Sequence, residues 1–287
     1  MVSANPFVSV LMTAFNREKF IVAAIESVLA SSYTNFELVI VDDYSSDKTY
    51  EIIQSFAAKD QRIRYYKNEK NLGDYPNRNR AASYAKGYYI TYLDSDDELL
   101  TDGLKNCINA MLNFPNASIG MYWGYSEAES FCLNGKEAVR QHFFKRQMLI
   151  IGPGGTVLKR SFFEQIKGYP EKYGPANDMY FNLEASCYSD IVFFPFSFSI
   201  YRQHDMQENK NEYSYLYNNY LYQKDALIEL PLPFSDKEKG WLGKKNKRRF
   251  LVNIIKYFFK TRNVAQVIQA IKLTHYSLKD FMNGVFH

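Results

Sequence analysis

Four times in the first 100 residues, an apolar run of strand length gives out abruptly into polar or acidic side chains. Residues 7–12 give way to Thr13 and Asn16. Leu38-Val39-Ile40-Val41 ends in Asp42-Asp43. Residues 62–66 alternate and lead into a polar stretch over 68–80, and residues 88–93 end in Asp94-Ser95-Asp96-Asp97. Helical patterns lie between these runs. Ile21, Ala24, Ile25, Val28 and Leu29 recur at helical spacing behind Asn16 as a cap, Ile52, Ile53 and Phe56 behind Ser45-Ser46-Asp47, and residues 79–85 suit a third helix. Short buried strands alternating with helices predict a mostly parallel, twisted α/β sheet with right-handed crossovers and helices on its faces.

In such sheets, ligands bind beyond the carboxyl ends of the strands. The polar residues along those ends therefore converge on one rim: Thr13 and Asn16, Asp42 and Asp43, residues 68–80, and Asp94 to Asp97. The last group is the most demanding. Carboxylates crowded at a strand end raise each other's pKa unless a cation or several donors hold them ionised, and oxygen-only ligands suit Mg²⁺ or Mn²⁺. The plain alternative is a helix cap with solvated acids ahead of Leu99 and Leu100.

Composition excludes several classes. A net charge of +4 over 287 residues is too small to argue for nucleic acid, and none is expected as a partner. Cys107, Cys132 and Cys187 are odd in number and lack metal-ligand spacing, so they read as reduced thiols and imply no zinc. The amino terminus shows no signal-peptide pattern and no apolar segment reaches spanning length, so a cytoplasmic protein is expected. Further on, Leu104, Ile108, Met111 and Leu112 mark a helix and residues 119–123 a strand, while Gly152-Pro153-Gly154-Gly155 is a turn or a close-approach loop.

Four stretches, in order, resemble the family 2 glycosyltransferases of the GT-A fold: Val8 through Asn16, Leu38-Val39-Ile40-Val41-Asp42-Asp43-Tyr44-Ser45, Asn71-Leu72-Gly73 with Asn77-Arg78-Asn79, and Leu93-Asp94-Ser95-Asp96-Asp97. Weaker matches continue through Arg160 to Glu164, Gly168-Tyr169, Asn177-Asp178 and Tyr201-Arg202-Gln203-His204. The resemblance implies a Rossmann-like nucleotide-binding half over residues 1–100, an acceptor part over 101–205, and a helical, basic extension over 206–287 that matches nothing in the family. It implies an inverting, metal-assisted transfer of one sugar from a nucleotide sugar, a UDP-sugar first, to a saccharide or lipid-linked saccharide in cell-surface polysaccharide or glycoconjugate synthesis.

By the same resemblance, Asp96 and Asp97 hold Mn²⁺ or Mg²⁺ and Asp94 contacts the donor. Asp43 accepts from the uracil ring, with Asp42 structural. Thr13, Phe15 and Asn16 lie against the nucleoside, Arg78 meets the base or pyrophosphate, and His204 approaches the metal or diphosphate. Asp178 is the base that deprotonates the acceptor, although this chain has Asn177 where many relatives have Glu. Plainer roles stand beside these: an Arg78 ion pair with Asp74, a helix cap at Asp178 and a structural His204. The QxxRW motif of processive synthases is absent, since neither Trp123 nor Trp241 follows an Arg.

Two other functions compete. A nucleotidyltransferase making nucleotide sugars shares the architecture, but Thr13-Ala14-Phe15-Asn16 lacks the glycine-rich phosphate loop it needs. A non-catalytic nucleotide- or glycan-binding relative would not need every carboxylate. Between Lys244 and Arg262 stand eight Lys or Arg and no acid. Arg249, Asn253, Lys256 and Lys260 make one polar stripe, with apolar residues over the remainder and a second apolar stripe at Val264, Val267, Ile268 and Ile271. Such helices either pack on each other or dock, through the region between Lys244 and Lys260, on the inner face of a membrane as a peripheral protein.

Overall fold

The structure, a computed structural model, describes residues 3–124, 129–203 and 211–285. In chain order its elements are β1 (Val8–Ala14), α1 (Ile21–Leu29), β2 (Phe36–Asp42), α2 (Thr49–Ala57), β3 (Ile63–Lys67), α3 (Asp74–Ser83), β4 (Tyr89–Tyr92), β5 (Glu98–Leu99), α4 (Gly103–Asn113), β6 (Ile119–Tyr122) and β7 (Phe131–Leu133). There follow α5 (Gly135–Phe144), β8 (Thr156–Lys159), α6 (Arg160–Gln165), α7 (Asn177–Tyr188), β9 (Ile191–Phe194), β10 (Ser199–Ile200), α8 (Glu212–Glu229), α9 (Asp236–Thr261), α10 (Val264–Thr274) and α11 (Leu278–Val285).

Eight strands form one mixed sheet in the order β3-β2-β1-β4-β8-β6-β9-β7. β3, β2, β1 and β4 are mutually parallel. β8 runs antiparallel to both β4 and β6, and β9 is parallel to β6. The carboxyl ends of β1, β2, β3, β4, β6 and β9 therefore share one rim. β2 is buried at every position, as expected of a strand covered on both faces. Alternate side chains feed two cores: Leu11, Val39, Val41 and Tyr92 on one face, with helices α3, α5, α6, α7 and α8, and Val10, Met12, Leu38 and Ile40 on the other, with α1 and α4. Each fully buried aliphatic side chain there contributes roughly 1.5–3 kcal/mol.

Several local expectations are corrected. Asn16 does not cap α1: its backbone is left-handed (φ 54°), and the helix starts five residues later. Residues after Asp97 form the short strand β5, which pairs with β10, so the acids cap no helix there. The third helix starts at Asp74 rather than near 79, because Gly73 takes a φ of 88° that turns the chain sharply into it.

The carboxyl-terminal helices divide their apolar residues between packing and solvent. Tyr222, Ala226, Leu227 and Leu242 join the core on the α7 face of the sheet. Phe250 and Ile254 of α9 pack with Leu216, Tyr220 and Ala270. Val252, Ile255 and Phe259 are 40, 45 and 61% exposed, and with Trp241, Lys245 and Arg248 they fall on one outer stripe of α9. Of the second stripe, Val267 and Ile271 pack inward while Val264 and Ile268 face solvent. Among the described residues, no helix is long and apolar enough to cross a membrane.

Candidate active site

The four parallel strands β1, β2, β3 and β4 deliver polar groups to the shared rim. Asp42, last in β2, is buried and turns one carboxylate oxygen to the Ser45 N–H at 3.0 Å. Burial pushes its carboxyl above the usual range, and its other oxygen has no partner among the described residues. Asp43 is nearly saturated: it accepts from the backbone N–H of Leu72 (2.8 Å) and Gly73 (2.9 Å) and from Asn68 Nδ2 (2.7 Å). A carboxylate offers about four acceptor positions, so one is left for a ligand. Its visible work is to hold the 68–73 loop against β2.

Asn16 likewise turns out to be a latch. Its Oδ1 accepts from the Ser46 N–H (2.9 Å), and its own N–H donates to Ser45 Oγ (2.9 Å), which ties the loop after β1 to the loop after β2. Thr13 is half-buried near the end of β1. Phe15 (44% exposed) and Tyr44 (55%) present aromatic rings on neighbouring strand ends, with Lys67 Nζ 6.0 Å from the centre of the Tyr44 ring. Tyr44 sits at a φ of 68°, an unusual backbone for a bulky residue.

The acids after β4 come together. One oxygen each from Asp94, Asp96 and Asp97 lies within 4.8 Å of the others. Arg17 Nε is 3.2 Å from Asp96 Oδ2, and Arg78 Nη2 is 2.7 Å from Asp94 Oδ1. Asp97 accepts the Arg202 N–H at 3.0 Å, and the Arg202 guanidinium donates to the Asp96 carbonyl and pairs with Glu98 (3.1 Å). Burial first, and then Asp94 and Asp96, push the Asp97 carboxyl up to about 7. Three convergent carboxylates form the hard oxygen donor set a Mg²⁺- or Mn²⁺-sized ion requires.

Arg78 links this cluster to the rest of the site. It pairs with Asp74 (2.7 Å) as well as Asp94, but it is buried rather than on the surface. Burial opposes its charge, yet Asp74 and Asp94 hold its pKa well above the usual value. Its Nη1 is buried without a partner among the described residues. A donor left unpaired beside a carboxylate cluster suits an anionic ligand oxygen.

Asp178 is the second residue of α7, whose cap position is Ala176 with no side-chain cap bond, so the expected helix-cap role is not what it plays. Its Oδ1 accepts the Met179 N–H at 2.7 Å, while Oδ2 faces Gly152. Burial pushes this carboxyl up to about 7, with Arg78 among the groups that pull it back. Asn177 accepts the Tyr173 N–H at 2.8 Å and so holds the turn before α7 instead of supporting its neighbour. The glycine cluster is a single 3-10 turn, Pro153–Gly155, that runs between the two acidic centres. A Cβ at Gly152 would stand 3.5 Å from Asp178 Oδ2, and one at Gly154 3.9 Å from Asp94 Oδ2. Close approach and turn chemistry therefore coincide.

His204 lies outside the described residues. Reasoning from sequence overlooked Arg17, Tyr44 and Arg202, although Tyr44 and Arg202 lie in stretches it had singled out and Arg17 directly follows one. Their signal was position beside strand-end motifs, not residue type.

The family model of glycosyl transferase family 2 matches residues 9–208. A Campylobacter jejuni GalNAc(5)-diNAcBac-PP-undecaprenol β-1,3-glucosyltransferase is 29% identical over 194 residues, 62% of this chain and 60% of the relative. An Escherichia coli UDP-Glc:α-D-GlcNAc-diphosphoundecaprenol β-1,3-glucosyltransferase, WfgD, is 37% identical over 142 residues, 50% of this chain and 54% of the relative. The chain thus spans little more than half the length of these two curated relatives. Among solved structures, Staphylococcus aureus TarS 1–349 in complex with UDP-GlcNAc superposes with a TM-score of 0.73 at 18% identity, over 96% of this chain and 89% of that one. Mannosyltransferase PcManGT from Pyrobaculum calidifontis, in complex with GDP-Man and Mn²⁺, gives 0.65 at 12% identity, over 99% and 88%. The GT-A fold is therefore shared, and the likeness takes in the carboxyl-terminal helices that match no sequence motif. The chain belongs to glycosyl transferase family 2.

Proposed function

We propose that this family 2 chain transfers one sugar from a nucleotide sugar, a UDP-sugar first, to a hydroxyl of a lipid-linked saccharide, with inversion. The observation that carries the reading is the meeting, on one rim, of the Asp94-Asp96-Asp97 cluster, the unpaired Arg78 Nη1 and the buried Asp178 across a glycine turn. Asp96 and Asp97 would hold Mn²⁺ or Mg²⁺, which when bound supplies Lewis-acid neutralisation of a departing diphosphate. Arg78 Nη1 donates to a phosphate or sugar oxygen of the donor, with Asp74 and Asp94 fixing its plane. Asp94 contacts the donor on its exposed side.

The nucleoside lies over the ends of β1 and β2. The last acceptor position of Asp43 takes the ring N–H, Phe15 and Tyr44 flank the base, and Thr13 and the Asn16 latch set the floor. His204 approaches the metal or the diphosphate, as the resemblance implies. Asp178 removes the acceptor proton during attack from the face opposite the leaving group. A carboxyl near 7 is matched to that task close to neutral pH.

The outer stripe of α9 rests on an anionic membrane at the cytoplasmic face, with Val252, Ile255 and Phe259 inserted among cations. This confines enzyme and lipid-linked acceptor to one surface. Residues 1–205 are the catalytic part, and 206–287 brace it and dock it. Vesicles containing phosphatidylglycerol should capture the chain at low salt and release it at high salt, and Phe259→Asp should weaken capture. Salt-independent or absent capture removes the docking role.

Calorimetric titration with UDP, GDP and dTDP, each with and without Mn²⁺, tests the central reading. Metal-dependent binding of UDP alone is expected. Binding of GDP instead would replace the donor nucleotide, and no binding of any would overturn the reading.

A further inference from the structure

We infer that Tyr75 is a positioning residue for the transfer: its hydroxyl fixes the Asp178 carboxylate and ties it to the helix that carries Arg78. This rests on the reading of Asp178 as the base and adds the group that aims it. Tyr75 stands in the first turn of α3, three residues before Arg78, and its ring is buried in the core on the α7 face of the sheet. A core position explains only the ring. Phe would fill the same space, and a buried hydroxyl costs stability unless it is hydrogen-bonded.

This hydroxyl is committed to one residue. Its oxygen accepts the Asp178 N–H at 3.3 Å, from a partner 103 positions away in the chain. That N–H is the second of α7, one of the first four that a helix leaves without an internal partner. With the oxygen accepting there, the hydroxyl proton goes to the Asp178 side chain and helps the Met179 N–H and Arg78 to hold it ionised against burial. Burial first, and then Asp178 and Asp74, push the Tyr75 phenol well above its ordinary range, so it stays a donor wherever the base works. Tyr75 thus closes a ring on Asp178, from its N–H to its own carboxylate. With Oδ1 on the Met179 N–H (2.7 Å), Oδ2 is presented at Gly152, on the side of the glycine turn that leads to Asp94.

Tyr75 and Arg78 share a face of α3, and the Arg78 guanidinium carbon is 6.0 Å from the centre of the Tyr75 ring. The helix that carries both is pinned. Asn79 Nδ2 donates to the Tyr169 carbonyl (2.8 Å), Asn79 Oδ1 accepts the Tyr169 N–H (2.9 Å), and the Tyr92 hydroxyl donates to the Arg78 carbonyl (3.1 Å). Tyr169 meets the Tyr75 ring edge-on (5.3 Å, 66°) and packs on Phe181 of α7 (4.5 Å, 49°). The residue that meets the donor phosphate and the residue that aims the base are therefore held at one separation by a rigid element. Misplacing a reacting group by about 1 Å can cost about 10²-fold in rate.

The other titratable groups that face Asp178 are Arg78 and Asp74 on α3, Tyr169 ahead of α7, Tyr222 on α8 and Asp94 across the glycine turn. Arg78 acts on it through charge and is bonded to Asp74 and Asp94 (2.7 Å each). The Tyr222 hydroxyl accepts from Gln223 Nε2 (3.0 Å).

A thermodynamic cycle on the full chain tests the inference: parent, Tyr75→Phe, Asp178→Asn and the double variant, melted in urea at pH 9 and pH 5. Phe keeps the ring, and the bond to the backbone N–H is lost in both backgrounds and cancels. At pH 9, Asp178→Asn should raise the folding constant about tenfold more in the Tyr75→Phe chain than in the parent, because the ionised carboxylate has lost a donor. At pH 5, where the carboxyl is protonated, the excess should vanish. A ratio within twofold at pH 9 assigns Tyr75 to packing and overturns the inference. In turnover, Tyr75→Phe should lower kcat about tenfold with the KM for the donor unchanged, and move the acidic limb of kcat/KM up by about one pH unit. A limb that stays in place also overturns it. Calorimetry with UDP and Mn²⁺ keeps the two readings apart. Retained UDP binding without coupling sinks the positioning role alone, whereas coupling without UDP binding sinks the transfer reading and with it the use of the pair for transfer.

Discussion

The two rims of the same sheet obey opposite rules. At the amino ends of the strands, Glu37 accepts from Ser9 Oγ (2.6 Å), Lys86 N–H (2.7 Å) and Arg64 Nη1 (2.7 Å), and the Gly87 N–H donates to Ser9 Oγ (2.8 Å). The chain packs so closely there that a Cβ at Gly87 would fall 2.4 Å from the Ser9 nitrogen. At the carboxyl ends, Asp42 Oδ1, Asn68 Oδ1 and Arg78 Nη1 are buried without partners among the described residues, and Asp97 and Asp178 are both pushed up to about 7. One rim spends its polar groups on closing the fold. The other leaves them unsettled, which proteins tolerate where a ligand completes the set.

Substitutions should separate the rims. Asp178→Asn is expected to lower kcat by about 10²–10⁴-fold, the usual worth of general acid–base catalysis, with nucleotide affinity unchanged. The same variant should be more stable than the parent above pH 7. The folded carboxyl titrates near 7 rather than 3.8, so the cost of ionising it is absent below about pH 4, grows as pH rises to 7 and is complete above. The gain, up to about 4 kcal/mol at pH 8, should vanish towards pH 4 in denaturant melts. A variant less stable at pH 8 would show that Asp178 serves the fold.

Arg78→Ala should cost about 1–3 kcal/mol of stability, because it removes charged hydrogen bonds to two partly exposed carboxylates, and should abolish turnover in whatever fraction folds. Asp96→Ala should remove the Mn²⁺ dependence of nucleotide binding while the chain still folds, as calorimetry with UDP would show. With the parent chain, kcat/KM should fall about tenfold per pH unit below 7 and level off above it, as expected for a base that must be ionised. The smallest catalytic effect belongs to the opposite rim: Glu37→Gln should lower stability by about 1–3 kcal/mol with kcat per folded molecule unchanged. A catalytic defect there would dissolve the contrast between the rims.

Much of this was legible in the sequence because it is periodic or local. The buried runs and the acids that end them follow from side-chain chemistry over a few positions, whereas the start of α3 after Gly73 does not. The roles of single polar residues were less legible. Asn16 looked like a helix cap because Asn favours caps, but it latches to Ser46, a partner 30 residues away in the chain. Asp43 looked free for a base, yet three donors from the 68–73 loop reach it first. The wide apolar face of α9 left packing and docking both open, and the fold divides it between them.

By itself, the sequence determined an α/β sheet whose carboxyl rim carries Asp43, Asp94, Asp96, Asp97 and Arg78, because strand and helix periodicities and strand-end chemistry are written in neighbouring residues. Only the tertiary structure decided which charges meet. Arg17 reaches Asp96 across 79 positions, and Arg202 reaches Asp97 across 105. Such pairings, and the burial that lifts Asp178, depend on how distant segments pack and desolvate one another, and no local pattern encodes them.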